Sequence, residues 1–409
     1  MVDNKLIIFQ GQFQIEDEDY YNVKDALVDI LLMIENIKSV EIDGINYNLD
    51  FYFGADYKML RLIYGQKASN ANEACIYCKT NLNIPMETPV DKNLEYSIFR
   101  SIEDTPDNFE PILKFIDYKR VVIDLLHMFL RITDFLYEII LNKLSKMDNN
   151  NTGNMNARPN LKIFLEFLKS RCKITNASFV QEGQIRLRNL NRNERLKIFR
   201  ELVKKEKENL VNSDEDLNYR RSFGNIFQYK ELKSKNRRNH FDFEIEYFVW
   251  QKFYRIYLKL IRYDIKIENI IEILKKEKDL TKIREMRKLE KIKSISSLKE
   301  QLKVWLDSYV DLSIEYRGIK TISPYIHIFV FHLVELLDIH GNINLFNVQG
   351  LEKLNHFCIE YYHHCTNKNS SRNKYLAQLL KKRNRVEFLK LREFNYDPVL
   401  FSEEENEDD

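Results

Sequence analysis

Apolar residues recur at helical spacing from Tyr20 to Ile37, where Val23, Ala26, Leu27, Ile30 and Met33 define one side of a predicted amphipathic helix. The period then shortens to two. After the turn residues Asp43 and Gly44, the positions Ile45, Tyr47, Leu49, Phe51 and Phe53 alternate with more polar neighbours, which predicts a hairpin whose second strand runs to Gly54. Asp56 follows that strand end, where the next helix begins and where an acid commonly serves as the N-cap. A long helix is predicted from about Lys119 to Leu144, apolar on most faces but with Asp124, His127, Arg131 and Asp134 at i, i+3, i+7 and i+10. Such a polar stripe faces solvent or lines a polar cleft.

The Asn-rich run Asp148 to Asn156 has turn chemistry and marks the start of an inserted region. From Leu161 to about Tyr316 the pattern is helical almost throughout, including the aromatic helix Phe241 to Arg262 and the charged segment Ile271 to Lys293. Glu352 opens a further helix. Leu351, Leu354, Cys358 and Tyr361 form its apolar stripe and leave Glu352, Asn355, His356 and His363 on or near the other face. Beyond Thr366 an Asn- and Ser-rich loop leads to a basic helix and an acidic end expected to be disordered. No internal repeat is evident.

Composition narrows the class. A chain of 409 residues with 44% hydrophobic content can bury one or two sizeable cores, and 10 Gly and 7 Pro are too few for a turn-rich all-β protein. Five Cys, two of them in one short knuckle, argue against a disulfide framework and for a reducing compartment. The chain lacks a long uninterrupted apolar stretch and a charged-then-apolar leader, so a soluble, intracellular protein with no membrane partner is expected.

Candidate chemistry begins at Cys75 and Cys78, whose two-residue spacer places both sulfurs on one tight turn suited to tetrahedral zinc. No second Cys pair completes a four-thiolate site, which makes His327 and His332 the natural complement. On an ideal α-helix five positions amount to about 140° of rotation, so both rings reach one metal only if the pair straddles a helix start. Pro324 just upstream is consistent with such a start. The bland alternative is that the two His are polar residues on an otherwise apolar helix.

The 64 Lys and Arg nearly balance the 62 Asp and Glu, but acids gather at Glu16 to Asp19 and Glu403 to Asp409, leaving the body more basic. Basic clusters occur around Arg186, Arg188, Arg192 and Arg195, along Lys230 to Arg238 including Lys235, Arg237 and Arg238, and at Lys381, Lys382, Arg383 and Arg385. With Phe227 and Tyr229 close by, they could neutralise DNA phosphates. Solvated helix faces would look much the same.

Taken in order, the segments Phe53 to Lys58 (FGADYK), Cys75 to Cys78 (CIYC), Ile123 to His127 (IDLLH), Pro324 to His332 (PYIHIFVFH) and Glu352 to His356 (EKLNH) form a series. This series resembles the catalytic core of Transib-type transposases and the related V(D)J recombinase catalytic subunit. The similarity spans roughly the first third of the chain and Ser323 to Thr366. It implies an RNase H-like fold in which three acids hold two divalent metals for DNA cleavage and strand transfer, and a zinc site of two Cys and two His ties a helical insertion to the core. By the resemblance, Asp56 matches the second acid, Glu352 the third, and Cys75, Cys78, His327 and His332 the zinc ligands, while Asp124 and His127 match a helix near the active site.

The family's first acid lies on a strand ahead of one that resembles Lys5 to Phe13. The chain starts after that point, so the expected active site lacks the carboxylate that bridges both metals, and DNA cleavage is expected to be weak or absent. The expected fold class is therefore α/β and helix-dominated, an incomplete RNase H-like core interrupted by a zinc-stapled insertion. Its expected divisions are 1–66 and 67–140 for the first core part and the Cys knuckle region, 141–320 for the insertion, 321–372 for the closing segment, and 373–409 for the basic helix and tail. Structural Zn2+, catalytic Mg2+ or Mn2+, DNA, a second copy or partner subunit, and a nuclear location complete what the resemblance implies. A non-catalytic zinc-stabilised DNA-binding or regulatory protein, and a helical scaffold whose Cys and His are core residues, are the alternatives.

Overall fold

The Asp19 carboxylate accepts a hydrogen bond from the Asn22 amide at 2.9 Å and thereby starts helix α1 (Tyr20–Asn36). The computed structural model describes residues 19–42, 44–66, 71–85, 99–102, 109–148, 158–175, 177–182, 184–188, 190, 192–203, 244–262, 280–346 and 381. All of them except Lys381 lie within one unit, Gln12–Asn347. On α1 the predicted stripe turns inward at Val23, Ala26, Leu27 and Ile30, whereas Met33 is exposed.

Strands β1 (Ser39–Ile42) and β2 (Ile45–Asn48) form an antiparallel hairpin around Gly44, closed by the Leu49 amide on the Lys38 carbonyl at 3.0 Å. The second strand does not continue to Gly54. Phe53–Ala55 is a separate strand, β3, and it pairs in parallel with β4 (Val121–Ile123) in the register Phe53 to Val121, Gly54 to Val122 and Ala55 to Ile123. Apolar alternation keeps the same phase through Leu49 to Tyr52, so periodicity alone does not register the change of partner.

The second correction has the same origin. The long helix begins at Leu125, not near Lys119, because Tyr118–Arg120 is a 3-10 turn and Val121, Val122 and Ile123 are a strand. All three are buried on both faces, and a buried parallel strand reads as a continuous apolar run, which merges with an apolar helix that follows it. Each strand of this small sheet is followed by a helix opened by an acid: Asp56 before α2 (Tyr57–Ile63) and Asp124 before α3 (Leu125–Met147). Just after α2, Gly65 adopts φ +60°, and a Cβ there would drive into the Phe109 backbone carbonyl, so only glycine fits.

Helix α3 is buried along most of its length and organises the rest. Helix α4 (Pro159–Ser170) opens on Pro159, and the α4 Asn160 and Leu161 amides both donate to Asp148 at the end of α3. The expectation of helix almost throughout 161–316 fails at β5 (Ser178–Glu182) and β6 (Gln184–Arg188), an antiparallel hairpin packed on α3. Helix α5 (Arg192–Val203) follows, and α6 (Glu244–Arg262) and α7 (Leu280–Arg317) complete the layer. Aromatic stacking joins them, with Phe129 and Tyr257 rings 4.0 Å apart and Trp305 Nε1 donating to the Val249 carbonyl at 2.9 Å. Two buried ion pairs, Lys143 with Glu246 and Arg317 with Glu138, cross this packing.

The chain then returns towards the first sheet through α8 (Pro324–His327), a π-helical turn (Ile328–His332) and α9 (Leu333–His340). The molecule is thus helix-dominated, with three two-stranded sheets among the described residues. Among those residues no helix is long and apolar enough to cross a membrane.

Candidate metal centre

The knuckle Cys75 to Cys78 is held by side chains that arrive from two directions and by one of its own that reaches out to β4. Arg100, 3% exposed, donates from Nε to the carbonyls of Cys75 at 3.3 Å and Cys78 at 3.0 Å, and from Nη2 to the Glu73 carbonyl at 3.3 Å and carboxylate at 3.2 Å. Its own amide donates to the Tyr77 carbonyl at 2.7 Å. From α2, Tyr57 Oη and Arg61 Nη1 both donate to the Ala74 carbonyl. At the middle of the turn, Tyr77 Oη accepts from the Ile123 amide and donates to the Val121 carbonyl, each at 3.1 Å. A phenol therefore takes the place of a neighbouring strand on the edge of β4 away from β3, among the described residues.

His327 and His332 arrive from the other end of the chain. Their five-residue spacing would splay the rings on an α-helix, and the resolution is not the straddled helix start that the spacing suggested. Leu333 donates its amide to the Ile328 carbonyl, the i+5 bond of a π-turn, and this wider turn brings residues five apart round to one side. Ser323 caps the preceding segment and Pro324 occupies its first turn, so the approach to the π-turn is fixed as well.

Together the four side chains form a buried cluster, with ligand atoms all within 4.8 Å of one another. Cys75, His327 and His332 have no solvent exposure and Cys78 is 4% exposed. Cys78 Sγ lies 3.2 Å from His327 Nε2, which lies 3.2 Å from His332 Nε2. Tetrahedral zinc, with bonds of about 2.3 Å to sulfur and 2.0 to 2.1 Å to nitrogen, would set its ligands roughly 3.3 to 3.8 Å apart. The donors are the right kind, converge through the correct nitrogens and need only a small adjustment to hold zinc.

Protonation in the metal-free cluster follows the same geometry. A hydrogen bond from Cys75 outweighs burial and, with further help from His327 and His332, holds Cys78 well below the ordinary thiol range, while burial pushes the Cys75 thiol up. Burial lowers His327. It also opposes protonation of His332, but hydrogen bonds with Cys78 and Glu335 outweigh it and raise the group. Coordinated zinc needs both thiols deprotonated and both rings neutral, so metal uptake releases protons.

The acids sit at the carboxyl ends of β3 and β4. Asp56, half-buried, accepts from the Met59 amide through Oδ1 at 2.9 Å. Asp124 is fully buried; its Oδ2 accepts from the His127 amide at 2.9 Å and lies 2.7 Å from His127 Nδ1. Parallel pairing makes the two acids neighbours in the sheet, with the Asp124 amide on the Ala55 carbonyl at 3.1 Å. Tyr325, on the helix that leads to His327, lies close enough to feel both carboxylates and hydrogen-bonds with Arg131, and burial pushes its hydroxyl up to about 12. The predicted polar stripe on α3 therefore divides: Asp124 and His127 belong to the sheet end, whereas Asp134 pairs with Arg195 at 2.5 Å.

Other predicted positions fall elsewhere. Glu352 lies outside the described residues, as do Lys5 to Phe13, Lys235, Arg237, Arg238, Lys382 and Arg383. Lys381 is helical and exposed. Arg186 and Arg188 belong to β6, opposite Val180 and Ser178, and their side chains lie outside the description. Among the described residues no second group of three or more such donors gathers to hold an ion. Sequence reasoning missed Arg100, Arg61 and Tyr77, for which no local signal exists, and Glu335, for which the three-residue offset from His332 was one. No protein-family model matches the chain, and no curated protein matches it.

Proposed function

We propose that the chain is a transposase-derived protein resembling the Transib and V(D)J-recombinase core, with a zinc centre that ties a helical insertion to an RNase H-like sheet. The observation that carries this reading is the convergence of Cys75 and Cys78 with His327 and His332 across some 250 residues of chain, in the grouping the resemblance requires. The parallel pair β3 and β4, each leading through an acid into a helix, supports the same reading. In an open α/β sheet ligands gather at the carboxyl ends of the strands.

Under this reading Asp56 and Glu352 would help to hold Mg2+ or Mn2+, which supplies an activated attacking oxygen and charge neutralisation in phosphoryl transfer. Asp56 suits the role in one respect: its cap bond engages Oδ1 alone among the described contacts. The chain's own contribution would be to position DNA, with basic side chains attracting phosphates in a manner that weakens with salt.

One observation favours a second reading, a zinc-stabilised DNA-binding protein without catalysis. Asp56 and Asp124 both serve as helix caps, and Asp124 is buried completely. The purified chain decides between them. Zinc content near one per chain and salt-sensitive DNA binding are expected under both. Magnesium-dependent nicking abolished by Asp56→Ala and Glu352→Ala selects the enzyme, and binding without nicking selects the non-catalytic form. A chain that retains neither zinc nor DNA contradicts both.

A further inference from the structure

The His332 ring reaches the cluster through Nε2, and its other nitrogen has a partner of its own. Nδ1 lies 3.3 Å from Oε2 of Glu335, three residues further on, in the first turn of α9. The ring is fully buried, while the carboxylate stays 25% exposed. A carboxylate that is to anchor a metal-bound imidazole accepts from its outer nitrogen, so in the coordinated ring Nδ1 is the donor to Glu335. The lone pair of the neutral ring is then left on Nε2, the atom 3.2 Å from His327 Nε2 inside the cluster.

From this we infer that Glu335 is a positioning residue of the metal centre, fixing the tautomer and orientation in which His332 coordinates zinc through Nε2. The inference rests on the metal-centre reading above and adds a residue to it. Its logic is that of the carboxylate, histidine and metal triad, in which the outer acid raises ligand basicity and prevents ring rotation. The local fold makes the contact a natural one. The π-turn ends at His332 and an α-helix resumes at Leu333, so an acid at i+3 comes over the ring that the π-turn has just presented.

The charges at the centre tolerate an outer carboxylate. Two thiolates, two neutral imidazoles and Zn2+ sum to zero, and the guanidinium groups of Arg61 and Arg100 donate to carbonyls of the knuckle. Arg100 is in turn paired with the Glu73 carboxylate at 3.2 Å, so the surroundings of the centre carry both signs of charge.

The test uses the full chain loaded with zinc and titrated with a chromophoric chelator. Cobalt substitution and 15N chemical shifts of the His332 ring serve as further readouts. Glu335→Ala removes both charge and acceptor; Glu335→Gln keeps an acceptor. The alanine variant should still bind one zinc but lose about 10- to 100-fold in affinity. In the zinc-loaded chain the His332 Nδ1–H signal should shift once its acceptor is gone, and the glutamine variant should keep that signal near its wild-type position with a smaller loss of affinity. Asp338→Asn, on the exposed side of the same helix, should change neither. If the alanine variant binds zinc as tightly as the wild type with an unchanged ring signature, Glu335 has no such role and the metal centre stands without it. A wild-type chain that binds no zinc at all removes both the centre and the role assigned to Glu335.

Discussion

The Cys and His cluster and the acid end of the β3/β4 sheet lie in the same compact unit and are both candidates for binding divalent ions, yet they differ in what else their side chains do. Cys75, Cys78, His327 and His332 are enclosed, face one another and are set by contacts whose evident purpose is to shape the knuckle and the π-turn. Asp56 and Asp124 already have an occupation, accepting amide hydrogens at the start of α2 and α3. Soft donors that gather in a dry interior have few bland explanations, because a buried thiol and imidazole cluster gains little from packing alone. Carboxylates at strand ends have a common one. The same argument from residue spacing is therefore strong at one site and weak at the other, and experiments should separate them by how much stability depends on metal.

The largest difference should come from metal removal. Chelation, or Cys78→Ser, should remove the zinc and destabilise the fold by several kcal/mol, since structural zinc is worth about 10 to 16 kcal/mol in small finger peptides and this larger core retains part of its packing. Thermal unfolding with and without chelator measures it. The effect should depend on pH with a definite sign. Burial raises the Cys75 thiol in the metal-free form, so its proton must leave on binding and zinc retention falls as pH falls. An unchanged melting temperature after complete zinc removal would place the Cys and His among ordinary core residues.

A smaller loss is expected from Arg100→Met, which keeps apolar bulk but strands the carbonyls of Cys75 and Cys78 in the interior. Charge-assisted hydrogen bonds contribute about 1.5 to 3 kcal/mol each, and partial relaxation should leave a net cost of about 3 kcal/mol, together with weaker zinc binding. Urea unfolding of the zinc-loaded variant gives the first quantity and chelator competition the second. Loss of stability with unchanged zinc affinity would show that the knuckle is shaped by the metal alone.

What was legible in the sequence follows from range. The CIYC knuckle, the His pair and the acid after a strand were visible because each is a local pattern with a chemical meaning. Their convergence was not, since nothing local links residue 78 to residue 327. The π-turn was invisible for a different reason: five residues of π-helix leave no periodic trace, and the spacing was fitted to an α-helix instead. The β5/β6 hairpin, by contrast, was written in the alternation of Phe179, Gln181, Ile185 and Leu187 about Gly183, and was overlooked because the surrounding pattern is helical. Strand β4 disappeared into the helix it precedes. Arg100 and Tyr77 act only through distant backbone groups, which no spacing rule announces.

Tyr77 is where the two regions meet, and Tyr77→Phe tests whether they communicate. The ring would still pack 5.4 Å from that of His332, but the Ile123 amide and Val121 carbonyl would lose their partner in a buried environment. A cost of about 1 to 3 kcal/mol is expected for two unsatisfied groups. Because Ile123 adjoins Asp124, the NMR signals of His127 should shift while zinc stoichiometry stays the same. Unperturbed His127 signals would show that the metal centre and the acid end are independent parts of one scaffold.

The smallest effect should be that of Asp56→Ala. Loss of an N-cap typically costs about 1 kcal/mol, and α2 has further support from its buried residues Tyr57, Leu60 and Ile63. Zinc affinity should not change, because Asp56 is no part of the cluster and its hydrogen bond is to Met59. Asp56→Asn sharpens the point: the amide oxygen can still cap, so stability should return towards wild type while any divalent-metal binding that needs a carboxylate should not. A fold stabilised by Mg2+ in the wild type but not in Asp56→Asn would give Asp56 a ligand role beyond its cap. Equal stability of the two with and without Mg2+ would leave it a helix cap and confine metal dependence to the Cys and His centre.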